Sequence, residues 1–298
     1  MKQITVNAND AGQRLDKLLA KLLHDAPKSL IYKWLRKKRV KVNGKKQDAR
    51  YMLCEGDVLE LYINDEFFSA PSVPDYLTGN AVMNAVYEDE NIIIINKPSG
   101  LAVHGGGENS DNLVRRLQAY LFQKGEYDPR LENSFAPSLC NRIDRNTTGL
   151  VIAAKNAAAL RILNEKIRLR EVKKYYLLKT EGIPNPPSGA IEGYTAKDER
   201  ENKVYFYREP HEGAKHCVTR YRTLDADGTV EALLETGRTH QIRASFAAIG
   251  CPLEGDVKYG AAKNGGHSFQ ALKAYKIEFD FVSPSGSLEY LNGKIFCI

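Results

Sequence analysis

The sequence is poor in the residues that would cross-link it or anchor it in a bilayer. Its five cysteines, Cys54, Cys140, Cys217, Cys251 and Cys297, are odd in number, and no two are spaced as C-x-x-C. That pattern argues against a disulfide framework and against zinc, and reads as reduced thiols in a cytosolic protein. Apolar runs such as Ile92 to Ile95 are far too short to span a membrane. The first residues, Met1-Lys2-Gln3-Ile4-Thr5, carry no apolar core of the signal-peptide kind. A cytoplasmic protein without membrane association is the expectation. There is no G-x-S-x-G elbow and no H-E-x-x-H pair among the six histidines, so the common hydrolase chemistries lack their residues.

What is present is charge, unevenly spread. The 298 residues are 43% hydrophobic and 27% charged, ordinary for a globular chain and enough for two domains. The net charge is +6, and residues 1–70 supply +5 of it, with 14 Lys and Arg against 9 Asp and Glu. Such asymmetry points to a polyanion-binding module joined to a near-neutral body.

Periodicity fills in that module. Leu15, Leu18, Leu19, Leu22 and Leu23 form a helical stripe over residues 15–23, with Arg14, Lys17 and Lys21 off it. Ser29 is a candidate cap for a second helix whose inner face is Ile31, Trp34 and Leu35. Val40-Lys41-Val42 alternates as a strand into an Asn43-Gly44 turn, and residues 58–63 form another strand. Segment 64–80, with Pro71, Pro74 and Gly79, reads as a linker. From about residue 81 a second domain follows. Its strand candidates are 92–96, 150–154, 175–180, 203–207, 217–223, 230–235 and 275–281; its helix candidates are 111–122, 156–169 and 239–249. Their irregular order favours an α+β fold with a mixed, mainly antiparallel sheet flanked by helices.

From Lys28 to Lys46 there are nine basic residues and no acid. A solvated helix face would look like this, and so would a phosphate-gripping surface, which binds RNA by counterion release without reading sequence. Gln13-Arg14-Leu15-Asp16-Lys17-Leu18-Leu19, Lys28-Ser29-Leu30-Ile31 and Arg39-Val40-Lys41-Val42-Asn43-Gly44-Lys45 together resemble an S4 RNA-binding domain over roughly residues 12–62. The resemblance implies a small α+β domain within residues 1–70. Its RNA contacts would come from Arg14, Lys17, Lys28, Lys33, Arg36, Lys37, Lys38, Arg39, Lys41, Asn43 and Lys45.

Three segments of the second domain carry chemistry-bearing residues. Asn141-Arg142-Ile143-Asp144-Arg145-Asn146-Thr147-Thr148-Gly149 sets an acid between two arginines ahead of an apolar strand. By spacing alone Asp144 could equally cap a turn. Lys174-Tyr175-Tyr176 lies on a strand, so the two tyrosines face opposite sides and one can point into a site. Gly237-Arg238-Thr239-His240-Gln241-Ile242-Arg243 reads as a helix start capped by Thr239, with His240 and Arg243 sharing a face and Gly250 ending the helix.

In this order, and with Ile95-Asn96-Lys97-Pro98-Ser99-Gly100-Leu101 before them and Gly250-Cys251-Pro252-Leu253-Glu254-Gly255-Asp256 to Tyr259-Gly260 after, these segments resemble the RluA-type family of pseudouridine synthases along nearly the whole chain. The resemblance implies that Asp144 is the nucleophile or essential carboxylate. It makes Tyr176 the tyrosine that stacks on the target base, Arg243 the partner of Asp144, and Arg142 the side chain that fills the gap left by a flipped base. Asn141 stands where many members have His, Ile143 where many have Leu, and Gly105-Gly106-Gly107 follows His104 where His-Pro is common.

The reaction so implied breaks the N1–C1′ bond of uridine and rejoins the ring through C5, which calls for no cofactor and no metal. Burial would favour the neutral acid at Asp144, and a paired Arg243 would favour the carboxylate, so a buried Asp144–Arg243 ion pair is expected. An S4-like module on this body suggests structured RNA, with large-subunit 23S ribosomal RNA ahead of transfer RNA. The chain would act as a monomer without an obligate protein partner. A non-catalytic RNA-binding assembly factor would explain the basic module but not the ordered motifs.

Overall fold

The computed structural model describes residues 1–23, 25–68, 73–105, 110–263 and 269–298. Pro71 of the expected linker and Gly106-Gly107 of the unusual glycine run lie outside the described residues. The chain forms two compact units: one holds residues 1–83, 115–138 and 154–160, the other residues 84–114, 139–153 and 161–298. Among the described residues no helix is long and apolar enough to cross a membrane.

The first unit opens with β1 (Lys2–Thr5), α1 (Leu15–Leu22), α2 (Lys28–Arg36), β2 (Val40–Val42) and β3 (Val58–Leu61). The strands form an antiparallel sheet in the order β1-β3-β2. The leucine stripe of α1 does what its spacing predicts: Leu15, Leu18, Leu19 and Leu23 are fully buried against Ile31, Trp34 and Leu35 of α2 and against the sheet. Pro27, not Ser29, precedes the first turn of α2, and no side chain caps it. The ring sets φ before the helix starts, so Ser29 falls inside the first turn, where its hydroxyl has no capping role. Asn43 (φ 51°) and Gly44 (φ 76°) make the left-handed turn that Asn-Gly favours. Residues 64–80 are more than a tether, for two 3-10 turns lie there, Phe67 packs edge-on to Trp34 at 5.1 Å, and Leu77 is fully buried.

Residues 115–138 belong to this same unit. Asp10, fully buried, accepts hydrogen bonds from Ser134 Oγ at 2.6 Å and Asn133 Nδ2 at 2.7 Å. Asn9 Nδ2 donates to Glu132 at 2.7 Å, and Gln13 Nε2 donates to Ser134 at 3.1 Å.

The remaining elements are β4 (Ala85–Glu88), β5 (Ile92–Lys97), α3 (Leu113–Gln123), β6 (Ser138–Leu139), β7 (Thr148–Ala154), α4 (Ala157–Arg168), β8 (Val172–Lys179), β9 (Ser188–Asp198), β10 (Lys203–Tyr207), β11 (Lys215–Thr223), β12 (Thr229–Leu234), α5 (Gln241–Ala248), β13 (Leu272–Phe279) and β14 (Ile295–Cys297). Nine strands run in the order β10-β9-β11-β12-β8-β13-β7-β5-β4, with β14 beside β13 and β6 beside β7. The registered pairs are antiparallel except β7 with β13, so the sheet is mixed and mainly antiparallel. β5 and β7 lie near one end of this order, yet Ile92–Ile95 and Gly149–Ala154 are buried on both faces, as continuous apolar runs predict.

Two glycines allow close approaches within this sheet. A Cβ on Gly149 (φ 112°) would lie 2.1 Å from the Ala274 carbonyl oxygen of β13, and one on Gly193 would lie 2.4 Å from the Phe206 ring. Gly193 belongs to β9, an eleven-residue strand that sequence patterning misses. Its two glycines, Gly189 and Gly193, depress strand propensity, and Gly193 is used where the neighbouring strand comes closest.

Candidate active site

Asp144 sits on the loop that leads into β7. Lys97, fully buried at the end of β5, donates to the carbonyls of Pro98 (2.8 Å), Leu101 (2.9 Å) and Arg145 (2.9 Å). Arg145 Nε donates to the Gly100 carbonyl at 2.8 Å and Ser99 Oγ to that of Asn146 at 3.1 Å. The Lys97–Leu101 turn and the Asp144 loop are thereby tied together. Burial pulls the Lys97 ammonium down to about 8, against the pull of the Asp144 charge, so it remains a cation at neutral pH. Asn141, in the position where a His resembles the family better, accepts the Ile152 N–H at 2.8 Å and so anchors the same loop to β7.

Arg243 Nη1 donates to Asp144 Oδ2 at 3.1 Å. The expected pair therefore forms, but its burial is one-sided: the Arg243 side chain is 9% exposed and that of Asp144 24%. The stronger partner of Arg243 is Asp256, which accepts Nε–H at 2.6 Å and Nη2–H at 2.8 Å and is almost fully buried. Burial works against the Arg243 charge, but the two carboxylates outweigh it and move its pKa up. Asp256 holds the guanidinium, and the remaining N–H is presented to an acid that stays open to the cleft.

His240 precedes α5 in the left-handed region (φ 49°) and caps nothing. Thr239 does not cap either; the Gln241 side chain turns back instead, accepting Arg238 N–H at 3.0 Å and the Thr236 hydroxyl at 2.8 Å. Freed from capping, His240 packs Nδ1 at 2.8 Å from the Tyr259 hydroxyl and Nε2 at 3.9 Å from Asp144. The Tyr259 hydroxyl also accepts the Val204 N–H at 3.0 Å, and Arg243 lies over the Tyr259 ring at 4.8 Å. Burial lowers the pKa of His240, with Asp144 opposing. Gly250 (φ 79°) ends the helix as its sequence predicts, and Cys251 N–H reaches back to the Phe246 carbonyl.

Strand alternation on β8 separates the two tyrosines. Tyr175 donates to Glu278 at 3.1 Å, away from the site. Tyr176 is buried in the cleft wall near Asp144, and burial together with that charge pushes its phenol pKa up. Arg142 is exposed on the rim. The cleft holds about 490 Å³. Among the described residues no cluster of His, Cys, Asp or Glu could hold a metal ion.

In the first unit, Lys17, Lys28, Lys33, Arg36, Lys37, Lys38, Arg39 and Lys45 are exposed, as a phosphate-binding surface requires. Lys41 lies over the Tyr62 ring at 5.2 Å. Two residues of the set are otherwise engaged: Arg14 binds Asp16 through Nε (3.0 Å) and Nη2 (2.6 Å), and Asn43 donates to Asp57 at 2.7 Å and accepts the Val58 N–H at 2.8 Å. The side chain of Asn43 serves the turn.

The family model for RNA pseudouridylate synthase matches residues 91–248, which carry Asp144, Tyr176 and Arg243. The chain belongs to the RNA pseudouridylate synthase family. An S4 domain model matches residues 13–59. An uncharacterized RNA pseudouridine synthase of Mycoplasma capricolum is 35% identical over 99% of this chain and 96% of its own. Ribosomal large subunit pseudouridine synthase C of Vibrio cholerae is 32% identical over 95% and 89%, and synthase D of Salmonella typhimurium 34% identical over 86% and 75%. The solved structure of human RNA pseudouridylate synthase domain containing 1 superposes with a TM-score of 0.56 at 21% identity, covering 73% of this chain and 83% of that one, a likeness of fold. As a pseudouridylate synthase the chain acts on RNA and turns uridine into its C5-linked isomer.

Sequence reasoning gave Asp256, Tyr259 and Lys97 no role, although each lies in a stretch that resembles the family. Asp256 follows Arg243 by thirteen residues across an irregular loop, and no periodicity links the two.

Proposed function

We propose that this cleft isomerises uridines of large-subunit 23S ribosomal RNA, with Asp144 as the nucleophile or essential carboxylate. The observation that carries the reading is the Asp144–Arg243 contact: a carboxylate open to the cleft and steadied from behind by a guanidinium clamped on Asp256. Such a group is oriented and accessible, as attack at or charge stabilisation near C1′ demands. The N1–C1′ bond breaks, the base turns, C5 bonds to C1′, and the proton lost from C5 is balanced by one gained at N1. Tyr176 supplies a flat apolar wall for the ring, and the exposed Arg142 suits the space a flipped base vacates.

The S4-like domain of residues 1–70 would grip structured RNA while residues 81–298 perform the reaction. The names of the relatives support ribosomal RNA as the substrate. Action in the cytoplasm, by a monomer with no obligate protein partner, completes the reading. Pseudouridines are to be mapped in total RNA from cells with and without the protein, and with Asp144→Asn in its place. Loss of defined large-subunit sites in both deficient strains is expected. Loss confined to transfer RNA would overturn the substrate, and full modification by Asp144→Asn would overturn the role of the acid.

A further inference from the structure

We infer that Lys174 is the cation that receives a phosphodiester group of the RNA strand seated in the cleft, positioning that strand rather than making or breaking bonds. The inference rests on the reading of this cleft as the uridine site. Lys174 and Tyr176 are two apart on β8 and so share a face of the sheet, and both line the cleft. Among the described residues the Lys174 side chain makes no hydrogen bond and no ion pair. It is half-buried and lines the cleft, and the wall around it is deep enough for burial to pull its ammonium down to about 8.

A desolvated cation with no counter-charge is unfavourable in an empty cleft and becomes favourable when an anion enters. The cleft is built for that sign of guest. Its described basic side chains are Arg142, Arg145, Lys174 and Arg238, and its acid is Asp144, which Arg243 already engages. The two β8 positions lie about 7 Å apart along the strand. A single nucleotide can span that distance, so a base against Tyr176 brings its own backbone charge to Lys174. The competing role, a neutral amine removing the C5 proton, makes no use of the surrounding positive charge.

The test uses the full chain as wild type, Lys174→Met, Lys174→Arg and Asp144→Asn, acting on C5-tritiated total RNA from cells lacking the protein. Tritium release is followed against RNA concentration at several salt concentrations. Lys174→Met should raise KM about tenfold, leave kcat within about threefold, and reduce the slope of log KM against log salt by about 0.7 to 0.9, the share of one phosphate, with Lys174→Arg restoring both. A fall in kcat at saturating RNA with an unchanged salt slope would overturn the inference in favour of a base, and unchanged KM and slope would overturn it outright. If Lys174→Met does not melt cooperatively, Lys174→Gln stands in for it under the same outcomes. Asp144→Asn separates the two levels: release by that variant at the wild-type rate removes the cleft reading itself, whereas its inactivity beside an unaffected Lys174→Met removes only the role of Lys174.

Discussion

Asp256 accepts two hydrogen bonds from Arg243, at 2.6 and 2.8 Å, and is the more deeply buried of the two. Asp144 receives one, at 3.1 Å, from the same guanidinium. Stability and activity should therefore separate between the two acids. Asp256→Asn removes the counter-charge of a buried arginine and should destabilise the fold by ~3 kcal/mol or more. Asp144→Asn should lower stability by less than ~1 kcal/mol, since its carboxylate is part-exposed, yet abolish tritium release. Urea unfolding and the release assay on both variants check this; equal losses of stability would refute the division.

Lys97 should be as sensitive to substitution as a core leucine. Lys97→Met fills similar space but leaves three carbonyls, those of Pro98, Leu101 and Arg145, without their donor. A loss of ~2–4 kcal/mol is expected, with reduced kcat because the Asp144 loop loosens. Thermal melting and saturation kinetics would show both; a variant as stable and active as wild type would mean the turn holds without the ammonium.

The acid limb of stability should depend on Glu171. The hydrogen bond from Lys166 is the main cause holding its carboxyl at about 2, burial opposes, and Ser283 adds to the lowering. A folded-state pKa below the usual value of 4.5 gives stability that is present above 4.5 and is lost as pH falls toward 2. Glu171→Gln should flatten the decline of stability between those values, measured as the urea midpoint at successive pH. An unchanged acid limb would show that other carboxylates govern it.

Gly149→Ala should be among the most damaging small substitutions. At φ 112° the added Cβ is strained before it meets anything, and the Ala274 carbonyl lies 2.1 Å from where it would sit. A loss of roughly 3 kcal/mol or more is expected from the combined strain and clash at the β7–β13 pairing. A fall in melting temperature of a few degrees or less would contradict that geometry.

Removing charge from the exposed end of α2 should weaken RNA binding without touching the chemistry. The triple change Lys37→Gln, Lys38→Gln and Arg39→Gln should reduce the salt slope of RNA affinity by about 0.7 to 0.9 for each phosphate no longer neutralised. The rate at saturating RNA should hold. An unchanged slope would assign the anchoring to another surface.

Much of this architecture was legible in sequence because the signals were local. The leucine stripe of α1, the Asn43-Gly44 turn, the apolar run of β7 and the stop at Gly250 each follow from periodicity or backbone freedom within a few residues. What escaped was set by contacts that periodicity and residue type do not announce. β9 hides because its Gly193 answers to Phe206 and Tyr207 on the neighbouring strand. Thr239 looked like a cap because the reach of Gln241 back to Thr236 cannot be read from residue type. At the site, the motifs supplied Asp144, Tyr176 and Arg243, while Asp256 depended on how a loop folds back after α5.

The hydrogen bonds from Asn133 and Ser134 to Asp10, and from Asn9 to Glu132, bear on how the protein can be recombined. A chimera that exchanged the RNA-gripping module at a single junction near residue 70 would separate each of these donors from its acceptor and strand the buried Asp10 carboxylate. Grafting the module from one synthase onto another therefore calls for transplanting residues 115–138 and 154–160 with it, three pieces of chain treated as one cassette.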